Sequence, residues 1–125
     1  MLDFEGWKYQ VTHESIVFIA SFHNKKWKTV IHFAGSKNIC LLSVFPWVLS
    51  QDRLHKALVL LNELNVSQKI GCFFVNGADG RVVYRFPVLV LDEFSARDYI
   101  RDALLSSAAN VNEYWERVYN AVLGI

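Results

Sequence analysis

Short runs rich in Val, Ile, Phe and Trp follow one another four times, at residues 7–11, 16–22, 27–33 and 39–47, before any helical periodicity appears. That order is the strongest constraint on what the chain can fold into. Runs of this kind bounded by polar clusters are strands. The clusters between them, Thr12-His13-Glu14-Ser15, His23-Asn24-Lys25-Lys26 and Gly35-Ser36-Lys37-Asn38, are hairpin-sized. Connections so short leave no room for a crossover helix, so an antiparallel meander is expected. Pro46 has no amide proton for a ladder and is expected to stop it.

Leu54, Ala57, Leu58, Leu61 and Leu64 then recur at helical spacing, with Ser50 where an N-cap is useful. Two further strands, at 70–75 and 81–91, flank Asn76-Gly77-Ala78-Asp79-Gly80. Asn-Gly and Asp-Gly tolerate positive φ, which makes this the strongest hairpin signal and Gly80 a structural residue. The last segment opens on Ser95-Ala96-Arg97-Asp98, a capping box with Asp in the acidic place, and Phe94 and Tyr99 occupy the positions of a hydrophobic staple. Ile100, Leu104, Ser107, Val111, Trp115, Val118 and Val122 keep one face of it apolar almost to Gly124. One continuous helix there is about 40 Å long, more than a domain of this size is wide. A bend near 106–112 is expected, or an end that projects towards a partner.

With 125 residues, 53% of them hydrophobic, the chain suits a single domain over residues 1–125. Four strands, a helix, two strands and a long helix make an α+β fold, an antiparallel sheet with helices on one face. The other face is expected to be functional. A solvated antiparallel face alternates polar and apolar residues, whereas here Ser21, Lys28, His32, Ser43 and Arg85 are scattered among Ile19, Val30, Leu41 and Val83. If Ile19, Val30, His32, Leu41, Ser43, Val83 and Arg85 share a face, it suits dimerisation or the uptake of another protein's apolar segment. The alternative is a covering element such as the C-terminal helix.

Two asparagines close the leucine-rich helix. Asn65 falls near the middle of the stripe drawn by Leu54, Leu58 and Leu61, and Asn62 lies at its border. A buried amide is costly unless bonded. Asn65 is therefore expected to end the helix in a left-handed conformation, and Asn62 to tie down the loop 66–69 through backbone bonds.

The stretches Arg53-Leu54-His55-Lys56-Ala57, Leu61-Asn62-Glu63-Leu64-Asn65, Ile70-Gly71-Cys72-Phe73-Phe74 and Asp79-Gly80-Arg81-Val82-Val83-Tyr84 resemble, in this order, the YbjN family, labelled bacterial sensory-transduction regulators. Glu5-Gly6-Trp7-Lys8-Tyr9 is similar to that family's entry into its first strand. The resemblance covers most of the chain and makes Gly71 a structural glycine before an aromatic strand. It implies a fold similar to type III secretion chaperones, small α+β proteins that commonly dimerise and hold unfolded segments of partners. It implies no catalytic residues.

The residues themselves offer little chemistry. His13, His23, His32 and His55 are never paired at i, i+4, and Cys40 and Cys72 lie far apart, so no zinc spacing and no disulfide framework is expected. No nucleophile elbow or phosphate loop occurs. Cys72 among phenylalanines is expected to be inert. Asp92-Glu93, Asp98 and Asp102 suit the dipole at a helix start. Lys25-Lys26-Trp27-Lys28 mixes cations with an aromatic, as single-strand nucleic-acid binders do, but reads as a solvated hairpin loop. The formal net charge of +1 supplies no field for nucleic acid or an anionic membrane. No leader or membrane helix is legible, which suggests the cytoplasm. The expected protein is a non-catalytic, protein-binding or chaperone-like regulator, a homodimer without cofactors. The alternative is a ligand-sensing domain whose apolar pocket, between sheet and helices, is lined by aromatics such as Trp7, Trp47 and Trp115.

Overall fold

The computed structural model describes residues 2–3, 10–11, 15–33, 38–90 and 96–124. The strands are β1 (Leu2–Asp3), β2 (Gln10–Val11), β3 (Ser15–Phe22), β4 (Lys25–Phe33), β5 (Asn38–Val48), β6 (Cys72–Val75) and β7 (Arg81–Leu89). A 3-10 turn, Gln51–Arg53, leads into helix α1 (Leu54–Ser67), and helix α2 (Ala96–Leu123) ends the chain. All pairings are antiparallel in the order β1-β3-β4-β5-β7-β6, with β2 also on β3. The expected α+β architecture is thus the observed one: five long strands with two helices.

The topology has one turn that adjacency in sequence does not suggest. β7, not β6, pairs with β5, so β5 and β6 run parallel and α1 is the crossover between them. The nine-residue β7 can bond on both sides, while the four-residue β6 suits an edge. At the other margin, the strand expected at 7–11 is seen as β2 at its last two residues; residues 7–9 lie outside the described residues, as do Phe94 of the staple and Ser95 of the capping box.

Three local expectations are corrected. The β3–β4 connection is only His23-Asn24, with φ of 49° and 64°, the pair of positive angles a tight twisted hairpin needs. Lys25-Lys26-Trp27-Lys28 is therefore strand, with Trp27 buried and Lys26 and Lys28 exposed on the opposite face. Pro46 does not stop β5. The strand bulges around it: Val44 pairs with Val83 and Val48 with Arg81, four steps on β5 against two on β7. Leu49 then donates its N–H to Gly80 C=O at 2.8 Å. Ser50 occupies the cap position of the 3-10 turn without a side-chain cap bond; its hydroxyl instead helps hold the exposed Asp52 carboxyl below its ordinary value.

α2 is helical without interruption for 28 residues, about 42 Å. No break divides it, and its end does not project. The helix crosses the sheet and continues onto α1 and the 3-10 turn, so Val111, Val118 and Val122 are all buried. Between α2 and the sheet lies an aromatic cluster: the Trp115 ring stands 4.7 Å from Trp47, 5.6 Å from Phe45 and 5.8 Å from Trp27. Beside it, Ser43 and Ser107 hydroxyls meet at 3.3 Å. The neighbouring Thr29 Oγ1 is buried without a hydrogen-bond partner. A buried unpaired hydroxyl costs about 1–3 kcal/mol, so Thr29→Val is expected to raise the urea midpoint, a gain of about 1 kcal/mol. An unchanged or lower midpoint would mean that Thr29 is bonded in solution.

Asn65 answers to a different task from the one expected. α1 runs two residues past it, and it does not take a positive φ. Its amide reaches sideways to the edge strand: Phe73 N–H donates to Asn65 Oδ1 at 2.6 Å, and Asn65 Nδ2 donates to Phe73 C=O at 3.0 Å. Asn62 is exposed; the segment after the helix is tied by Ser67 Oγ to Leu64 C=O and by Gln68 N–H to Asn65 C=O. Gly80 has φ of +71° and closes the hairpin as expected, donating to Asn76 C=O at 2.8 Å.

Candidate functional site

Register decides which side chains share the face that the helices leave uncovered. In an antiparallel pair, residues directly opposite point to the same side. One row across the sheet is Ile19, Lys28, Val44, Val83 and Phe74; the next is Val17, Val30, Leu42, Arg85 and Cys72; a third is Ser15, His32, Cys40 and Pro87. Among the described residues no helix or strand covers these rows. Ile19 is 49% and Phe74 38% exposed, while Val44 at 9% and Val83 at 3% form the floor between longer side chains.

Of the seven residues expected to share this face, Ile19, Val30, His32, Val83 and Arg85 do. Leu41 and Ser43 do not. Leu41 is fully buried against the helices opposite Ile31, and Ser43 stands opposite Thr29 and bonds Ser107. β5 is apolar on both sides, so alternation cannot fix its phase, and the residues that belong on the open face are Cys40, Leu42 and Val44. His32 Nδ1 lies 3.3 Å from Ser15 Oγ.

Both edges of the sheet are obstructed. Asn76 N–H donates to Arg81 C=O, so Arg81, and by alternation Val83 and Arg85, turn their bonding groups towards β6. Cys72 and Phe74 answer them, which leaves Phe73 pointing outward, and there Asn65 takes both its N–H and its C=O. Pro87, beyond the end of β6, has no N–H to offer. These are the devices by which edges avoid pairing with other chains. At the opposite edge, β1 occupies Ser21 and Phe22 and β2 occupies Ile16 and Val17. Among the described residues these contacts leave the face as the broader accessible surface.

Its charge is one-sided. The five long strands contain Lys25, Lys26, Lys28, Arg81 and Arg85 and not one Asp or Glu. Lys25 alone of these turns to the helix side, where its Nζ donates to Asn112 Oδ1 at 2.7 Å. Asp3 of β1 stands opposite Ser21 at the outer margin, and Asp79 in the hairpin lies 3.5 Å from Arg81. Of the acidic side chains of the helices, Asp98 lies beside Arg101, and Asp102, also beside Arg101, reaches only the cleft at the far end of the face. Among the described residues a net charge near zero therefore conceals long strands that carry cations and no carboxylate, a signal present in the strand sequences and lost in the average over the chain.

Two depressions interrupt this face. At the bulge, a groove of about 350 Å³ is lined by Ile19, Lys26, Lys28, Val44, Pro46 and Arg81. At the far end, a cleft of about 950 Å³ runs past Pro87, between His32, Cys40 and Arg85 on one side and Ile70, Asp102 and Ser106 on the other. The void between sheet and α2 is only about 10 Å³, beside Thr29 and Ser107. Trp47 and Trp115 help fill that interior by packing edge to face on each other and line none of these depressions; Trp7 lies outside the described residues. Cys40 and Cys72 are free and half-buried. Among the described residues no cluster of His, Cys, Asp and Glu could hold a metal ion, and no helix is long and apolar enough to cross a membrane.

Comparison with known proteins gives one match. The family model YbjN, described as "Putative bacterial sensory transduction regulator", matches residues 1–120. No curated protein and no solved structure matches.

Proposed function

The chain belongs to the YbjN family, and from that premise we propose that it is a regulator that acts without catalysis, by binding a segment of another protein on its open sheet face. One observation carries this reading: an uncovered face in which Ile19, Val30, Leu42, Val44, Val83 and Phe74 are contiguous across five strands. Contiguous apolar surface on a soluble domain marks an interaction site. The obstructed edges favour docking on the face over strand addition. Holding an apolar segment there is a chaperone-like act.

Self-association through the same face, the homodimer expected from the sequence, is disfavoured by charge. Face-to-face packing buries Lys28 and Arg85 of both copies with no carboxylate from the long strands to meet them, and unpaired buried charge is costly. The reading is tested with Val30→Asp. Val30 lies mid-face, half-buried, away from the helices. The variant is expected to keep its circular dichroism spectrum and melting temperature within a few degrees while losing partner binding at least about 10-fold, since a buried charge at an interface costs more than 1.4 kcal/mol. Undiminished binding by the variant removes the face from consideration. Light scattering coupled to size exclusion reads the association state; a dimer that Val30→Asp dissociates would make the second copy the occupant.

The far cleft supports a second reading. Its volume falls in the range of small-molecule sites, and a ligand there would raise the melting temperature of the wild type and not of an Arg85→Ala variant.

A further inference from the structure

Resting on the reading of the open face as a protein-binding surface, we propose that its occupant is a protein segment bearing carboxylates beside apolar side chains, and that Lys26, Lys28 and Arg81 around the bulge groove receive those carboxylates. The groove exists because β5 leaves β7 between Val44 and Val48. Its walls are apolar, Ile19, Val44 and Pro46, and its rim is cationic. Lys26 and Lys28 stand two residues apart on one strand, roughly 7 Å, and Arg81 lies two strands away, roughly 10 Å. Lys26 and Lys28 form no ion pair with any described residue, and Arg81 is held by Asp79 only at 3.5 Å in a partly exposed pair.

Each occupant can be weighed by what it does to these charges. An uncharged apolar segment covers the ammonium groups without replacing their water, which is unfavourable. A basic segment meets like charge. An acidic and apolar segment satisfies rim and floor together, and charge complementarity of this kind selects partners and speeds encounter. A second copy of the face brings no carboxylate from its long strands. A flat lipid surface or a polyanion reaches the cations but leaves Val44 untouched, because it is buried at the floor of the groove. A protein side chain can enter the groove.

The test is a selection of short random peptides displayed against the wild-type protein, followed by fluorescence anisotropy of the selected peptides. Binding is measured on the wild type, on Lys28→Glu/Arg81→Glu and on Val30→Asp, with phosphatidylserine vesicles as a parallel probe. The expected result is enrichment of Asp and Glu next to apolar residues, with affinity falling at least about 10-fold on the charge-reversed variant. Lys28 is exposed and Arg81 partly so, and the fold is expected to survive their replacement. Selected peptides without acidic enrichment, removed by Val30→Asp but unaffected by charge reversal, overturn this inference and leave the face reading standing. A selection that yields no peptide sensitive to Val30→Asp overturns both. Vesicle binding that charge reversal abolishes, with no acidic peptide selected, assigns the cations to a membrane surface and overturns the protein occupant.

Discussion

Gly71→Ala is expected to destabilise the protein by about 3 kcal/mol, the upper part of the range for overpacking a closed site. Gly71 is buried where the chain enters β6, and a methyl group there overlaps the Tyr84 hydroxyl oxygen and ring. The ring has nowhere to go. Tyr84 is fully buried, its centroid 4.6 Å from that of Phe73. Its hydroxyl donates to Gln68 Oε1 at 3.2 Å and accepts from Asn110 Nδ2 at 3.0 Å, while Gln68 Nε2 donates to the Tyr114 hydroxyl at 3.1 Å. The added methyl therefore disturbs a network that joins the residue capping α1 to β7 and α2. Urea denaturation measures the loss, and thermal melting should fall by roughly 10 °C. Gly71→Ala in a Tyr84→Phe background should cost less, because the nearest overlapping atom is gone. A wild-type melting temperature for the single variant would mean that the backbone at Gly71 lies further from Tyr84.

The same hydroxyl gives a pH dependence of known sign. Burial raises the Tyr84 pKa above its ordinary value of 10.0, and the hydrogen bond from Asn110 pulls more weakly the other way. The fold prefers the neutral phenol. Its contribution is complete below the unfolded value and is lost as pH rises from about 10 through the raised folded value. Tyr84→Phe should lack that part of the alkaline loss.

Asn65→Leu is expected to cost about 3 kcal/mol by a different route. The substitution leaves Phe73 N–H and C=O without partners, at about 1–3 kcal/mol for each group left unsatisfied. It also reopens the outer edge of β6. Hydrogen exchange provides the direct readout: the Phe73 amide, donated to Asn65 Oδ1 at 2.6 Å in the wild type, should exchange far faster in the variant than the amides of β7. Light scattering should show concentration-dependent association, since an unguarded edge recruits other strands. Equal Phe73 exchange in both proteins would show that Asn65 does not guard the edge.

The two asparagines show how far a sequence can be read. Periodicity correctly turned Asn65 inward and made a bonded amide necessary, but it could only nominate the nearest backbone, the end of its own helix. The group it serves is eight residues away on β6 and becomes a neighbour only after α1 has packed. Asn62, with the same local credentials, is exposed. β5 shows the matching limit for faces: Cys40, Leu41, Leu42, Ser43 and Val44 are acceptable on either side, and only the Thr29–Ser43 and Val30–Leu42 pairings choose. A step of one residue reverses the whole strand.

By itself the sequence determined the elements and their kind. Strand runs with hairpin-sized breaks, the Asn76–Gly80 turn and two apolar helical stripes are local signals, settled by φ preferences and by the periods of strand and helix. It also held the charge segregation, because five strands without a carboxylate are a fact of composition. Tertiary structure alone decided that β7 lies between β5 and β6, that α2 packs as one unbroken helix across sheet and α1, and that the cations gather at a groove beside Pro46. Those outcomes rest on contacts between residues far apart in sequence, and their energies do not exist until the chain has closed on itself.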